Sequence, residues 1–121
     1  KDNAYGQLTE AVERLDLTHR VTIVRGDIVE TLPRYIEENR GFRISLLHCD
    51  LDVYEATLAT LATAWPRIVP GGIVVFDEYA VEDWGESDAA DEFAARLANP
   101  PRFRQLPHSP TPTAYWIKDG G

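Results

Sequence analysis

The run Ile73-Val74-Val75-Phe76, preceded by Pro70-Gly71-Gly72 and followed by Asp77-Glu78, constrains this chain more than any other feature. Four consecutive apolar residues without polar alternation read as a strand covered on both faces. That is the pattern of a parallel sheet between helices, not of a sheet wetted on one side. A second such segment, Arg43-Ile44-Ser45-Leu46-Leu47-His48-Cys49, lies upstream. Between them, a helix predicted at about 54–66 buries Leu58, Leu61, Ala62 and Trp65 and stops near Pro70-Gly71-Gly72.

The rest of the chain continues the alternation. Residues 3–15 carry Ala4, Leu8, Ala11, Val12 and Leu15 at helical spacing, and Val21-Thr22-Ile23-Val24 predicts a short strand ending at Gly26-Asp27. A helix at about 31–39 tolerates Pro33 in its first turn. Another, at about 87–98, takes Ser87 as its N-cap and gathers Ala90, Phe93, Ala94 and Leu97 on one face. Phe103 to Leu106 and Thr113 to Lys118 predict two strands around the turn Ser109-Pro110-Thr111-Pro112. The expected fold class is α/β: an open, mostly parallel sheet with flanking helices and a C-terminal antiparallel hairpin, in a single domain over 1–121.

Charge narrows the partners. Twelve Lys+Arg against 20 Asp+Glu give a formal net charge of −8, which repels phosphate backbones and anionic lipid, so neither nucleic acid nor membrane is expected as a partner. No apolar run approaches the roughly 20 residues of a membrane span. Cys49 is the single cysteine, which excludes an internal disulfide framework and fits a reduced, cytoplasmic setting.

Ligands of open α/β sheets sit beyond the carboxyl ends of the strands. Gly26-Asp27, His48 to Asp52 and Asp77 to Tyr79 occupy those places, and all three carry carboxylates. If the two apolar strands are neighbours at about 4.8 Å, the acids after them converge. Asp50, Asp77 and Glu78 then form an open site for a hard divalent cation such as Mg²⁺. Blander readings stand beside this one. Asp52 followed by Glu55 is also a capping-box variant, and Asp77 and Glu78 also read as solvated loop acids. The eight acids between Asp77 and Glu92 partly serve a helix N-terminus, while Tyr79 and Trp84 among them suit either a substrate lid or core packing. His48, inside a strand, reads as a packed, hydrogen-bonded histidine, and Cys49 as a buried small hydrophobe. The chain contains no G-x-S-x-G elbow, no G-x-G-x-x-G and no Walker-type loop.

Two blocks carry a family resemblance. Leu46-Leu47-His48-Cys49-Asp50-Leu51-Asp52-Val53-Tyr54-Glu55-Ala56-Thr57 and Pro70-Gly71-Gly72-Ile73-Val74-Val75-Phe76-Asp77-Glu78-Tyr79, with Val24-Arg25-Gly26-Asp27 before them, resemble class I S-adenosylmethionine-dependent methyltransferases. More narrowly, they resemble the macrocin-type O-methyltransferases that act on sugar hydroxyls in antibiotic biosynthesis. The resemblance implies a Rossmann-like sheet, S-adenosylmethionine as methyl donor, Mg²⁺ or Mn²⁺, and a sugar or glycosylated acceptor. It implies that Asp50, Asp77 and Glu78 hold the metal, that Asp52 is the general base, and that Asp27 lies near the adenine. The family more often has Asp-Asp before the tyrosine, so Glu78 is a departure.

The glycine-rich loop and ribose-binding acid of that family lie on two earlier strand–helix units. The expectation is therefore a C-terminal portion of the fold that binds the cofactor poorly alone and exposes a sheet edge through which copies could associate. Two rival readings are a non-catalytic half-domain and a haloacid-dehalogenase-like phosphatase using Asp50-Leu51-Asp52-Val53. The second lacks a mid-chain lysine, since only Lys1 and Lys118 are present.

Overall fold

A computed structural model of the chain describes residues 2–77 and 85–119. The elements run α1 (Asp2–Arg14), α2 (Ile28–Glu38), β1 (Ile44–Cys49), α3 (Tyr54–Ala64), a 3₁₀ turn over Trp65–Arg67, β2 (Ile68–Phe76), α4 (Glu86–Ala95), β3 (Arg104–Gln105) and β4 (Ala114–Ile117). The sheet order is β1-β2-β4-β3. β1 and β2 are parallel and joined through α3, whereas β4 pairs antiparallel with both β2 and β3. The sheet is thus mixed, with the expected hairpin closing one side.

The core lies where α3 and α4 meet the sheet. Leu61, Ala64, Val74, Phe76, Ala90, Phe93 and Trp116 are buried there. Trp116 is the hub: its ring centroid lies 4.7 Å from Phe76, 5.0 Å from Phe103 and 5.8 Å from Trp65. Edge-to-face aromatic packing of this kind adds about 0.5–1.5 kcal/mol per pair beyond burial. α4 buries Ala90, Phe93 and Ala94 as its spacing predicts. α3 turns slightly from expectation, leaving Ala62 exposed and burying Ala64 instead.

Several local expectations give way to tertiary context. β2 begins five residues earlier than its apolar run, because Pro70-Gly71-Gly72 lies inside the strand as an irregularity, not after a helix as a breaker. The register with β1 jumps from Ile44↔Ile68 to Leu46↔Ile73 across it. Gly71 takes φ +83°, and a Cβ on Gly72 would lie 2.8 Å from the Val69 carbonyl oxygen, so the bulge requires small residues. α2 starts at Ile28 because the Asp27 side chain accepts a hydrogen bond from the Val29 amide at 3.0 Å. Pro33 consequently falls inside the helix rather than in its first turn. At α4 the N-cap is Gly85 with no side-chain cap, and Ser87 is already helical.

The strand expected at Val21–Val24 does not form among the described residues. The segment is nonetheless two-faced. Thr22 and Val24 line a groove of about 490 Å³ with Leu32, Tyr35 and Phe42, while Val21 and Ile23 turn toward Tyr5 and Val12 of α1. Side-chain alternation is present, but among the described residues no neighbouring strand pairs with it, and a strand is defined by its partner. α1 likewise buries Val12 but leaves Leu8 exposed, and ends at Arg14 one residue short of Leu15, which is also exposed.

Candidate active site

The parallel pairing of β1 with β2 places Cys49 beside Phe76, and the Asp77 amide donates to the Cys49 carbonyl at 3.0 Å. The ladder therefore reaches the last residue before each acid. Asp50 and Asp77 leave the sheet side by side, close enough for each carboxylate to feel the other's charge. Neighbouring carboxylates repel one another unless a proton or a cation offsets the charge. Asp50 is accordingly held above the ordinary carboxylate range, first by partial desolvation and then by the charges of Asp77 and Asp52, with His48 opposing.

His48 is half-exposed rather than packed, and its Nε2 lies 3.2 Å from Asp77 Oδ1. A readable signal for this was the alternation in β1, where Leu46, His48 and Asp50 are exposed while Cys49 is buried. Cys49 is 1% exposed, as a small buried hydrophobe should be.

Asp52 is not a helix cap. Val53 holds that position without a side-chain hydrogen bond, so the capping-box reading of Asp52 and Glu55 fails. Instead Asp52 adopts φ 62°, a left-handed conformation that costs a non-glycine residue about 1 kcal/mol or more. Its Oδ1 is buried with no hydrogen-bond partner among the described residues. The strain and the unpartnered carboxylate oxygen stand two residues from Asp50.

The remaining predicted site residues are not gathered here. Asp27 caps α2 through one carboxylate oxygen, leaving the second available. Glu78 lies outside the described residues, as do Tyr79 and Trp84. Among the described residues no group of three His, Cys, Asp or Glu side chains is arranged to hold a metal ion. Beside the site, the Tyr54 hydroxyl donates to Glu92, whose carboxylate also pairs with Arg96, tying the start of α3 to α4. Sequence spacing held no signal for that contact across 38 residues.

An α/β sheet whose paired acids stand at the carboxyl ends of adjacent parallel strands is the ligand-binding architecture of the Rossmann-like group. Within that group the chain belongs to the methyltransferase domain family, which matches residues 2–79.

Its relatives are sugar O-methyltransferases. The 8-demethyl-8-(2,3-dimethoxy-alpha-L-rhamnosyl)-tetracenomycin-C 4'-O-methyltransferase of Streptomyces olivaceus is 40% identical over 40 residues, 33% of this chain and 15% of the relative. The mycinamicin III 3''-O-methyltransferase of Micromonospora griseorubida is 34% identical over 65 residues, 54% of this chain and 24% of the relative. Among solved structures, CalS11, a TDP-rhamnose 3'-O-methyltransferase of calicheamicin biosynthesis, superposes with TM-score 0.76 at 36% identity, over 96% of this chain and 50% of that one. The chain thus spans half the length of that structure, and its matches cover a quarter or less of the two curated relatives.

Proposed function

We propose that this chain is the carboxylate-bearing part of a class I S-adenosylmethionine-dependent O-methyltransferase that acts on a hydroxyl of a sugar or glycosylated natural product. The Asp50–Asp77 pair at the ligand edge of the sheet carries the reading. The names of the relatives support the acceptor class. On this reading residues 1–121 form the C-terminal portion of the fold, with the main cofactor-binding strands supplied by other sequence, in a reducing, cytoplasmic setting. The outer edge of β1, where Leu46 is 60% exposed, and the unpaired extended segment at 21–24 support that arrangement. Left uncovered, the edge is also a template for pairing with a second copy.

Asp50 and Asp77, together with Glu78, are the residues that would hold Mg²⁺ or Mn²⁺. Adjacent acids whose charges raise the Asp50 pKa are a fitting donor pair for a hard cation. Such a cation, when bound, lowers the pKa of a hydroxyl oxygen beside it. Asp52 is the general base. Its carboxylate, with a buried unpartnered Oδ1, would take the proton of the acceptor hydroxyl, and S-adenosylmethionine, when bound, would supply the methyl group. His48 holds the Asp77 carboxylate in place through its Nε2 contact. Asp27, at the turn after the extended segment, offers its second oxygen to the adenine.

Thermal melts of the chain across a millimolar titration of MnCl₂ or MgCl₂ test the central geometry. Binding to the folded state raises the melting temperature by mass action, and Asp77→Asn abolishes the rise. A melting temperature that does not move across the titration refutes the metal-assisted mechanism.

A further inference from the structure

The opposite end of the sheet carries the reverse charge. Arg43 and Arg67 immediately precede β1 and β2, and the pairing of Ile44 with Ile68 sets the two arginines side by side. Both are tied to one oxygen: Arg67 Nη1 donates to the Arg40 carbonyl at 2.5 Å and Arg43 Nη1 at 3.4 Å. Arg43 Nη1 also donates to the Phe42 carbonyl at 2.8 Å. Arg40 contributes a third guanidinium, paired with Glu37 at 2.5 Å. These residues and Pro66 line a cleft of about 430 Å³.

Among the described residues Glu37 is the one acid lining this cleft, against three guanidinium groups. In a chain of net charge −8 with 12 basic residues, three of those residues stand in one recess. Two like charges held on a shared carbonyl repel unless an anion lies between them. Each guanidinium has five donors in a planar fork, and the contacts above engage a single terminal nitrogen on each, so donors remain to grip an oxyanion from two sides. A six-residue strand rises about 3.3 Å per residue, which puts this recess roughly 20 Å from the Asp50–Asp77 edge. An anion bound here is therefore not the methyl acceptor.

We propose that the Arg40–Arg43–Arg67 cleft is a binding site for a phosphate-type oxyanion, separate from the carboxylate edge. Occupancy neutralises the excess charge where the α2–β1 connection meets β2, and so stabilises the amino end of the parallel strand pair. The ligand is either a single phosphate or a diphosphate, and the two probes below tell them apart.

The test is the melting temperature of the chain in sodium phosphate, sodium pyrophosphate and sodium chloride at matched ionic strength, without divalent metal. Phosphate or pyrophosphate is expected to raise the melting temperature by several degrees over chloride. Saturation with phosphate alone assigns a one-phosphate site, and a rise confined to pyrophosphate assigns a diphosphate site. The exposed Arg43→Gln and the double variant Arg40→Gln/Arg43→Gln keep the Arg67 bond that ties the connection to β2, so each folds in chloride. Both variants should lose most of the oxyanion-specific rise. Equal melting temperatures in all three salts overturn the proposal, and so does an undiminished rise in the double variant. Asp77→Asn, which tests the carboxylate edge, should leave the oxyanion effect unchanged.

Discussion

Cys49 closes β1 with its thiol 1% exposed, and burial, reinforced by the charge of Glu86, pushes that thiol from 9.0 up to about 12. The reactive species is the thiolate. At pH 8 a cysteine of pKa 9.0 is about one-tenth ionised, whereas one near 12 is about one ten-thousandth ionised, a loss of roughly a thousandfold in nucleophile. Ellman's reagent should therefore label the native chain at least about a thousandfold more slowly than the urea-unfolded chain, and only through opening of the β1–β2 edge. The same shift makes stability pH-dependent. Because the folded pKa is raised, the stabilising difference is intact below pH 9 and declines as pH rises from 9.0 toward 12, where the unfolded chain ionises and the folded one does not. The slope approaches about 1.4 kcal/mol per pH unit, so about 1.4 kcal/mol is lost between pH 8 and 10. Urea unfolding of the wild type and Cys49→Ala at both pH values isolates this contribution from other titrating groups. Native labelling at the unfolded rate, or an identical pH dependence in the two proteins, would refute the assignment of Cys49 as a desolvated core thiol.

Two further outcomes follow from contacts around the site. Gly85→Ala would place a Cβ 2.5 Å from the Tyr54 amide nitrogen and 2.9 Å from its Cα, backbone atoms that cannot swing aside, so denaturant melts should show a loss of about 1–3 kcal/mol. A variant as stable as the wild type would mean that α4 does not start against α3. Asp50, raised by desolvation and by the charges of Asp77 and Asp52, holds its proton to higher pH than an ordinary carboxylate. Manganese-induced stabilisation should accordingly fade on acidification before isolated carboxylates protonate, and the same titration repeated stepwise from pH 7 downward in wild type and Asp50→Asn would show it. The same stabilisation and pH course in Asp50→Asn as in the wild type counts against Asp50 as a ligand.

The adjacency of Asp50 and Asp77 was legible because it depends on few things. Ile73 to Phe76 and Ile44 to Cys49 are apolar runs that want cover on both faces, and a helix between them makes them parallel neighbours. Once paired, the residues that follow have to emerge together, and Asp50 and Asp77 do. Asp52 was harder. Asp-x-x-Glu before an apolar helix is a real capping signal, yet the chain turns through φ 62° at Asp52 and hands the cap to Val53. Ser87 misled in the same way, since its side chain suits a cap but Gly85 is what fits against the Tyr54 backbone.

Local chemistry by itself determined the alternation of helices and strands from 28 onward, the apolar cover of β2, the burial of Cys49 and the strand ends at which acids stand, whereas β1 turned one face outward at Leu46 and His48. Those follow from apolar periodicity and from the handedness of a strand–helix–strand unit, which act over a few residues or one crossover. Tertiary structure alone decided that Val21 to Val24 stays extended without becoming a strand, that Pro70-Gly71-Gly72 bulges inside β2, that Asp52 is strained with an orphan oxygen, and that His48 reaches Asp77. Each of these depends on which backbone or side chain arrives from elsewhere. A hydrogen bond needs both of its groups, and periodicity reports only one of them.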